Sequence, residues 1–252
     1  MSFLKYKIPY DLDSSERTIY HRQLILRKPF LKKLYIEWYS EFINSIHALP
    51  EGKLIELGSG GGFLKTLCPS VICSDILPLP SNDMTFSALE MPFSENEISG
   101  IFMVDAFHHI PDSEKFLHEA SRVLKKDGQI IMVEPANSKW GRFIYKNFHH
   151  EPFITSGDWH IPDNGPLSGA NDALPWIVFE RDIKKFNTLF PCFEVISIKY
   201  HTPFRYLLSG GVSFRQLMPG FLFAPCTVFD NMLSFVSKQI SMFVTIKIKK
   251  VS

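Results

Sequence analysis

Paired cysteines are missing from this chain. It has four cysteines, Cys68, Cys73, Cys192 and Cys226, and no two of them form a Cys-x-x-Cys pair. A disulfide framework is therefore not expected. Cys68 and Cys73 lie in an apolar region, where cysteine behaves as a small buried hydrophobe. This cysteine usage indicates a reducing, cytoplasmic compartment.

An excess of one sign of charge is missing as well. Lys and Arg together number 27 against 26 Asp and Glu, so the formal net charge is +1. A dedicated nucleic-acid binder normally shows a basic face or arm, because phosphate contacts supply most of its affinity. The sequence therefore predicts no nucleic-acid partner.

Long apolar runs are also absent. The first seven residues lack the apolar segment of a signal peptide. The longest uncharged stretch, between Arg215 and Asp230, is interrupted by two prolines and a glycine. It is too short and too broken for a membrane span of about 20 apolar residues. No transmembrane segment is expected, which leaves peripheral membrane contact as an open alternative.

What the sequence does contain is a nucleoside-binding pattern. An apolar strand ending at Glu56 runs into a turn with Gly58, Gly60 and Gly62, and a second strand ends at Asp75. Glycine allows a tight turn and a close approach of the backbone to a ligand. A strand-end carboxylate can accept hydrogen bonds from two ribose hydroxyls. The pattern predicts a nucleoside site at this turn.

The acid before the first glycine narrows the choice of nucleoside. Dinucleotide sites carry G-x-G-x-x-G and place a pyrophosphate at the turn. A carboxylate at Glu56 would repel that pyrophosphate and would suit a ligand with an ammonium or sulfonium group. A nicotinamide-dependent oxidoreductase on a related fold is therefore the weaker alternative.

Three further blocks, at residues 88–93, 101–112 and 116–135, follow this turn in a characteristic order and spacing. Together they resemble the class I S-adenosylmethionine (SAM) methyltransferases, in particular the small-molecule group that includes the ubiquinone/menaquinone-biosynthesis type. The resemblance covers roughly residues 50–135, about a third of the chain. It implies SAM as the cofactor and the following cofactor-binding residues: Glu56, Gly58, Ser59, Gly60, Gly62, Asp75, Ile76, Ser87, Ala88, Asp105 and Phe107.

The sequence departs from that family at two places. The family usually has Asp at the position of Ser87, where the carboxylate accepts from the adenine amino group. A serine hydroxyl can still accept, although without charge and with a shorter reach. The second departure, Ile98-Ser99 in place of Phe-Asp, is interpreted as structural.

Alternating strands and helices predict an α/β fold with a parallel sheet. The resemblance makes this a doubly wound, mostly parallel seven-stranded sheet in a single domain over residues 1–252. Residues 14–48 are expected to form an N-terminal helical segment, and residues 50–135 the SAM-binding core. A helix that begins at Asp112 or Ser113 is predicted to end at Gly128. Residues 136–180 and a C-terminal cap insertion, residues 203–240, are interpreted as an acceptor-side lid and cap.

Histidines supply the candidates for catalysis. His108 and His149 are the candidate general bases for a hydroxyl acceptor. A second cluster lies between residues 149 and 163, but it has neither an i,i+4 histidine pair nor H-E-x-x-H. We therefore predict cleft lining and no metal ion. The cluster comprises His149, His150, Glu151, Asp158, His160 and Asp163; the predicted acceptor-side residues are His150, Trp159, His160, Asn171 and Trp176.

The expected function is SAM-dependent O- or N-methylation of a small-molecule or a lipid- or glycan-linked acceptor. A SAM-binding partner subunit without catalysis is a further alternative. The phenylalanine-rich insertion, residues 203–240, has three open interpretations: the core of a small cap, a contact for a lipid-linked acceptor, or an oligomer interface.

Overall fold

The computed structural model describes residues 5–162 and 165–252. At its centre lies a seven-stranded sheet in the order β3-β2-β1-β4-β5-β7-β6. β7 runs antiparallel to both of its neighbours, and the other pairings are parallel. The predicted doubly wound α/β fold is confirmed. The strands are β1 (Lys53–Glu56), β2 (Val71–Asp75), β3 (Met84–Thr85), β4 (Ile98–Val104), β5 (Leu124–Pro135), β6 (Phe193–His201) and β7 (Phe243–Lys250).

Helices cover both faces of the sheet. Every residue of β4 is buried, as expected for a central strand that is covered on both sides. The helices are α1 (Ser15–Arg27), α2 (Pro29–Ile46), α3 (Phe63–Leu67), α4 (Ser113–Val123), α5 (Lys139–Phe148), α6 (Leu174–Trp176), α7 (Ile183–Leu189), α8 (Arg205–Ser209) and α9 (Phe223–Val236). A π-helical turn, Ile177–Arg181, follows α6, and 3₁₀ turns occupy Phe107–His109, Gly220–Leu222 and Lys238–Ile240.

The predicted N-terminal helical segment consists of α1 and α2. Pro29 occupies the first turn of α2, where its missing N–H costs nothing. Leu31, Leu34 and Phe42 on its apolar stripe are fully buried. This stripe packs α2 into the core beside the sheet.

Helix α4 begins as predicted but ends earlier. The Asp112 side chain accepts a hydrogen bond from the Lys115 N–H at 2.8 Å, which caps the helix. The helix stops at Val123, because Leu124 already pairs with Ile98 of β4. Gly128 is therefore not the helix terminator. It lies within β5, where a Cβ would come within 3.0 Å of the Ser99 carbonyl oxygen.

The cap insertion is anchored on α2. The buried Arg205 guanidinium contacts Asp230 of α9 at 3.0 Å and Glu37 of α2 at 2.6 Å. The buried Lys28 ammonium donates to the carbonyl oxygens of Gly211 and Phe214. Polar contacts of two buried cationic side chains thus hold the cap against the N-terminal helices.

Several apolar side chains on the outer face of the cap are exposed. Phe235 is 93% exposed and Phe221 is 78% exposed. Val228, Phe229, Met232 and Val236 are exposed as well. Within the described ranges, no helix combines the length and the apolarity that a membrane crossing requires.

Candidate active site

The carboxyl ends of β1, β2 and β4 open into one cavity of 410 Å³. Open α/β sheets bind their ligands at this edge. The lining includes the glycine turn after β1, Asp75 at the end of β2 and Asp105 just after β4. Residues of α1, α5 and the cap complete the walls.

The glycine turn owes its shape to left-handed backbone conformations. Gly58 has a φ of 63°, and a Cβ there would lie 2.7 Å from the Cβ of Ala106. Gly60 has a φ of 49°. A side chain at position 58 would therefore be strained and would also push the turn away from the residues after β4.

Asp75 is held in place by the turn that it faces. One carboxylate oxygen accepts from the Gly60 N–H at 3.0 Å, and the other accepts from the Leu77 N–H at 3.0 Å. Burial raises the pKa of this carboxyl, and the backbone donors oppose the effect. Each oxygen accepts at more than one position, so both can also accept from a ligand hydroxyl.

Four further predicted cofactor residues line the same cavity: Ile76, Ser87, Ala88 and Asp105. The Ser87 hydroxyl accepts from the Leu89 N–H at 3.2 Å, which fixes the turn after β3. Asp105 has a φ of 50°. Burial raises the pKa of Asp105 to about 7, although the charge on His108 opposes the shift.

Three residues predicted to bind the cofactor do not line the cavity. Gly62, with a φ of 65°, begins α3. The fully buried Phe107 packs its ring against Phe116, with the centroids 5.8 Å apart. Glu56 is 1% exposed and lies among buried groups, where Cys73 Sγ donates to it at 3.5 Å. These three residues thus lie behind the lining of the cavity, and their contact with the cofactor stays a prediction.

The protonation of Glu56 also differs from the expectation of a charged group. Burial raises the pKa of its carboxyl to about 8, although hydrogen bonds from Cys73 and Tyr39 oppose the shift. The group is thus mostly neutral at neutral pH.

Histidines and carboxylates from four segments meet beside the cavity. His108 lies between two acids, with Nδ1 2.6 Å from Glu134 at the end of β5 and Nε2 3.2 Å from Glu151 after α5. Burial opposes a charge on His108, but the two carboxylates raise its pKa well above the usual value. The contacts with histidines, above all with His108, lower the pKa of Glu151 although burial opposes this.

His109 and His149 are oriented by other partners. His109 Nδ1 lies 2.9 Å from the Gly169 carbonyl oxygen, and burial lowers the pKa of His109 to about 4. His149 Nδ1 lies 3.2 Å from Asp172. Burial opposes a charge on His149, yet the hydrogen bond to Asp172 raises its pKa. Burial raises the pKa of Asp172 to about 6.

Most of the predicted acceptor-side residues lie elsewhere. His150 lines the cavity, but Trp159, His160, Asn171 and Trp176 do not. Trp159 is fully buried and donates through its indole N–H to Asp182 at 2.9 Å. His160 is on the surface and faces Asp112 at 3.2 Å. The lining role predicted for these four residues is therefore corrected, and Asp163 lies outside the described residues.

The buried Asn171 supports the site from behind. Its side-chain oxygen accepts from the Ile154 N–H at 2.9 Å, and its backbone N–H donates to the His108 carbonyl oxygen at 2.9 Å. Asn171 thus ties the segment before α6 to the turn that carries the histidines.

Several lining residues have no signal in the sequence. They come from α1, α2, α5 and the cap: Arg17, Thr18, His21, Arg22, Tyr35, Tyr39, Tyr145, Tyr206 and Val212. No local pattern marks them, because they reach the cavity through tertiary packing. Glu134, which contacts His108 from behind the lining, did have a signal, since it is a strand-end acid like Asp75.

Comparisons with known proteins agree with this geometry. Residues 55–132 match a family model described as a methyltransferase domain. The demethylmenaquinone methyltransferase of Symbiobacterium thermophilum is 24% identical over 154 residues, which is 51% of this chain and 61% of that protein. The match therefore spans less than two thirds of that relative.

Solved structures share the fold at low identity. The geranyl diphosphate C-methyltransferase of Streptomyces coelicolor, solved with Mg²⁺, geranyl-S-thiolodiphosphate and S-adenosyl-L-homocysteine, superposes with a TM-score of 0.52 at 12% identity, covering 88% of this chain and 78% of that one. A Haloferax volcanii protein from a complex with a methyltransferase activator gives 0.51 at 11% identity, with 97% and 99% covered. The family model thus identifies residues 55–132 as similar to a methyltransferase domain, and the solved structures share the fold of the chain around it.

Proposed function

We propose that this protein transfers a methyl group from SAM to an acceptor bound in the same cavity. The proposal rests on one observation: most of the predicted cofactor-binding residues and the histidine cluster line the same cavity. The glycine turn, Asp75, Ser87 and Asp105 face the same 410 Å³ space as His149 and Glu151. The first four of these groups form the cofactor half-site. The cofactor half-site and a set of proton-accepting groups therefore lie within one enclosure.

Each residue of the cofactor half-site has a role in binding SAM. Asp75 accepts from the ribose hydroxyls, and Ser87 with Ala88 contacts the adenine. The backbone of residues 58–60 approaches the amino-acid part, and Asp105 supplies the carboxylate that pairs with its ammonium group. SAM, when bound, supplies a methyl group on a positively charged sulfur. The chain contributes alignment and exclusion of water rather than covalent help.

For a hydroxyl acceptor, we assign proton removal to His149 rather than His108. Both ring nitrogens of His108 face carboxylates of Glu134 and Glu151. The carboxylate contacts of His149 in the described part of the chain run through Nδ1, so Nε2 remains for the acceptor proton. Asp172 then holds the ring in the orientation and tautomer that this requires.

The His149 assignment predicts a loss in turnover. Replacing His149 with Gln should lower kcat for a hydroxyl acceptor by about 10²-fold or more, since a positioned base contributes about 10²–10⁴-fold. SAM affinity should stay within a few-fold of the wild-type value. Wild-type turnover in a folded His149→Gln protein would remove this residue from the role.

The walls of the cavity suggest the acceptor class. Tyr206, Val212 and Phe243 give it an apolar side, next to the polar histidine cluster. This composition supports an acceptor with an apolar body and one nucleophilic oxygen or nitrogen, either a free small molecule or a lipid- or glycan-linked one. The exposed apolar side chains on α9 support the lipid-linked form, which would bring a cytoplasmic protein into peripheral contact with a membrane.

The cofactor assignment is tested through Asp75. Asp75→Ala removes two hydrogen bonds to a charged acceptor, each worth at most about 1.5–3 kcal/mol. SAM affinity measured by calorimetric titration should fall at least about tenfold. Asp127→Ala makes the same chemical change at an exposed acid that pairs with Lys249, and it should leave the affinity unchanged.

Two outcomes would change the conclusion. Unchanged SAM affinity in a folded Asp75→Ala protein would contradict the ribose assignment. SAM that binds but is never converted to S-adenosylhomocysteine, with any fraction of a cell extract as acceptor, would favour a non-catalytic partner subunit.

A further inference from the structure

Beyond the cofactor half-site, the cavity carries a set of metal-ligating atoms that the proposed methyl transfer does not require. His108 and His109 lie on the 3₁₀ turn after β4, and Glu151 follows α5. One ligand atom from each of these three residues lies within 4.8 Å of the other two. All three line the cavity. Local sequence patterns could not show this group, because Glu151 joins it only through the fold.

The two histidines are oriented as metal ligands usually are. His108 turns Nδ1 to the Glu134 carboxylate at 2.6 Å, and His109 turns Nδ1 to the Gly169 carbonyl at 2.9 Å. A carbonyl oxygen only accepts, so His109 Nδ1 carries the hydrogen and Nε2 carries the lone pair. Such partners on the second nitrogen fix ring and tautomer at metal sites.

The spacing of the ligand atoms suits one ion. His108 Nε2 and Glu151 Oε2 are 3.2 Å apart, and His109 Nε2 and Glu151 Oε1 are 3.8 Å apart. Ligand atoms at about 2.0–2.2 Å from a tetrahedral ion lie about 3.3–3.6 Å from one another. Small side-chain adjustments would therefore bring both imidazole nitrogens and one oxygen of Glu151 onto one ion.

One oxygen of a neighbouring carboxylate lacks a hydrogen bond. Asp172 is fully buried, and its Oδ1 accepts no hydrogen bond from the described residues. This oxygen lies 3.7 Å from His108 Nε2. A buried carboxylate oxygen without a hydrogen bond is costly, and a cation among these residues would compensate for it.

We propose that His108 Nε2, His109 Nε2 and Glu151 bind a divalent first-row transition ion such as Zn²⁺, which holds the oxygen of an acceptor hydroxyl. Two imidazoles and one carboxylate suit such ions, whereas Mg²⁺ and Ca²⁺ prefer oxygen ligands. Three protein ligands leave at least one position open to the cavity, as in catalytic metal sites.

The acceptor part of this inference rests on the proposed function, but ion binding does not. The ion would lower the pKa of the bound hydroxyl. The O–H bond then breaks with its proton passing to His149, and the oxygen electron pair forms the new bond to the methyl carbon. The carbon–sulfur bond breaks, and its electron pair remains on sulfur.

A second ligand set shares Glu151 with the first. His149, His150 and Glu151 also place their ligand atoms within 4.8 Å of one another. The side chains of His149 and His150 are 30% and 45% exposed, against 3% and 13% for His108 and His109. The more buried pair has its second nitrogens fixed, so it is the better ligand set.

The test uses the full chain, stripped with a chelator and dialysed. Co²⁺ is titrated in the absence of SAM and followed by its visible absorption, and Zn²⁺ is titrated by calorimetry. One ion per chain is expected. His109→Gln and Glu151→Gln should each weaken Co²⁺ binding at least about tenfold. His160→Gln, at an exposed histidine outside the cavity, should leave Co²⁺ binding unchanged.

If the stripped wild-type protein shows no visible absorption band of bound Co²⁺, the proposal is overturned before any variant is tested. Loss of binding in His150→Gln with retention in His109→Gln would overturn the ligand assignment. Stripped protein that keeps its SAM affinity but loses methyl transfer at least about tenfold, with recovery on adding Zn²⁺, would support the acceptor role. Full transfer by the stripped protein would refute that role, whereas ion binding without any SAM binding would instead refute the proposed function.

Discussion

At the residue scale, two acids near the same edge of the sheet have different surroundings. Glu56 ends β1 and is buried away from the cavity, whereas Asp105 follows β4 and lines it. Burial raises the pKa of both carboxyls, to about 8 for Glu56 and about 7 for Asp105. The same physical effect thus acts on a supporting group in one case and on a ligand-facing group in the other.

The raised pKa of Glu56 predicts a pH-dependent stability. Its protonated form is favoured by folding, so this contribution is complete below the unfolded pKa near 4.5 and is lost as the pH rises through about 8. Glu56→Gln, a neutral residue of the same shape, should therefore gain stability relative to the wild type as the pH rises. The difference should reach a few kcal/mol, since one pKa unit corresponds to about 1.4 kcal/mol.

Urea unfolding of both proteins at about pH 5 and about pH 8.5 measures this difference, with the transition midpoint as the readout. Parallel stability curves for the two proteins would show that Glu56 is charged in the folded state at neutral pH, against the assignment above.

Three acids at this edge show what the sequence could and could not predict. The positions of Asp75 and Asp105 at the cavity were predictable, because a strand-end acid at this edge has few other uses. The position of Glu56 behind the lining was not predictable, because the direction of a side chain at a strand end depends on the packing around it. His108 and Glu151 were each noted in the sequence, but their meeting with His109 depends on contacts across some forty residues, which no local spacing encodes.

At the element scale, periodicity predicted α2 and the central strands well. Leu31, Leu34 and Phe42 recur on one face, and the structure buries them. The cap was predicted only as an insertion. Helix α9 carries apolar residues on more than one face, and among its residues Asp230 is buried while Phe229 and Phe235 are exposed. Amphipathic periodicity therefore could not identify its inner side.

The contrast between α2 and α9 gives a matched pair of substitutions. Phe42 is fully buried and stacks on Phe102 with centroids 5.2 Å apart, whereas Phe235 is 93% exposed. Phe42→Ala should destabilise the fold by about 3–5 kcal/mol. Phe235→Ala should change stability by less than about 0.5 kcal/mol.

Denaturant midpoints of the two variants check this at low protein concentration. A loss above about 1 kcal/mol in Phe235→Ala would mean that the outer face of α9 is covered in solution. Sedimentation analysis would then show whether a second copy of the chain covers it.

At the scale of the whole molecule, the cap and the N-terminal helices form one unit through Arg205. This side chain is 1% exposed, and its guanidinium contacts Asp230, Glu37 and Thr227. Because Tyr206 and Val212 of the cap line the cavity, the position of this arginine also determines the shape of the acceptor side.

Arg205→Met should destabilise the protein by about 3–5 kcal/mol, because it leaves Asp230 buried without its charged partner. Asp230→Asn in the same chain should recover part of the loss, since it removes the uncompensated charge. Lys247 and Glu41 form a more exposed pair, and Glu41→Gln should cost less than about 1 kcal/mol. Thermal unfolding of the three variants provides the comparison, and a loss below about 1 kcal/mol in Arg205→Met would contradict the anchoring role.

The insertion of β7 between β5 and β6 has a consequence for biosynthesis. Pro135 pairs with Phe243, roughly a hundred residues later in the chain. A ribosome adds about 5–20 residues per second, so β5 waits roughly five to twenty seconds for its partner. During that time it is an open edge, which can pair with other chains. Slow codons between residues 136 and 242 therefore lengthen this vulnerable period, whereas slow codons before residue 124 leave it unchanged.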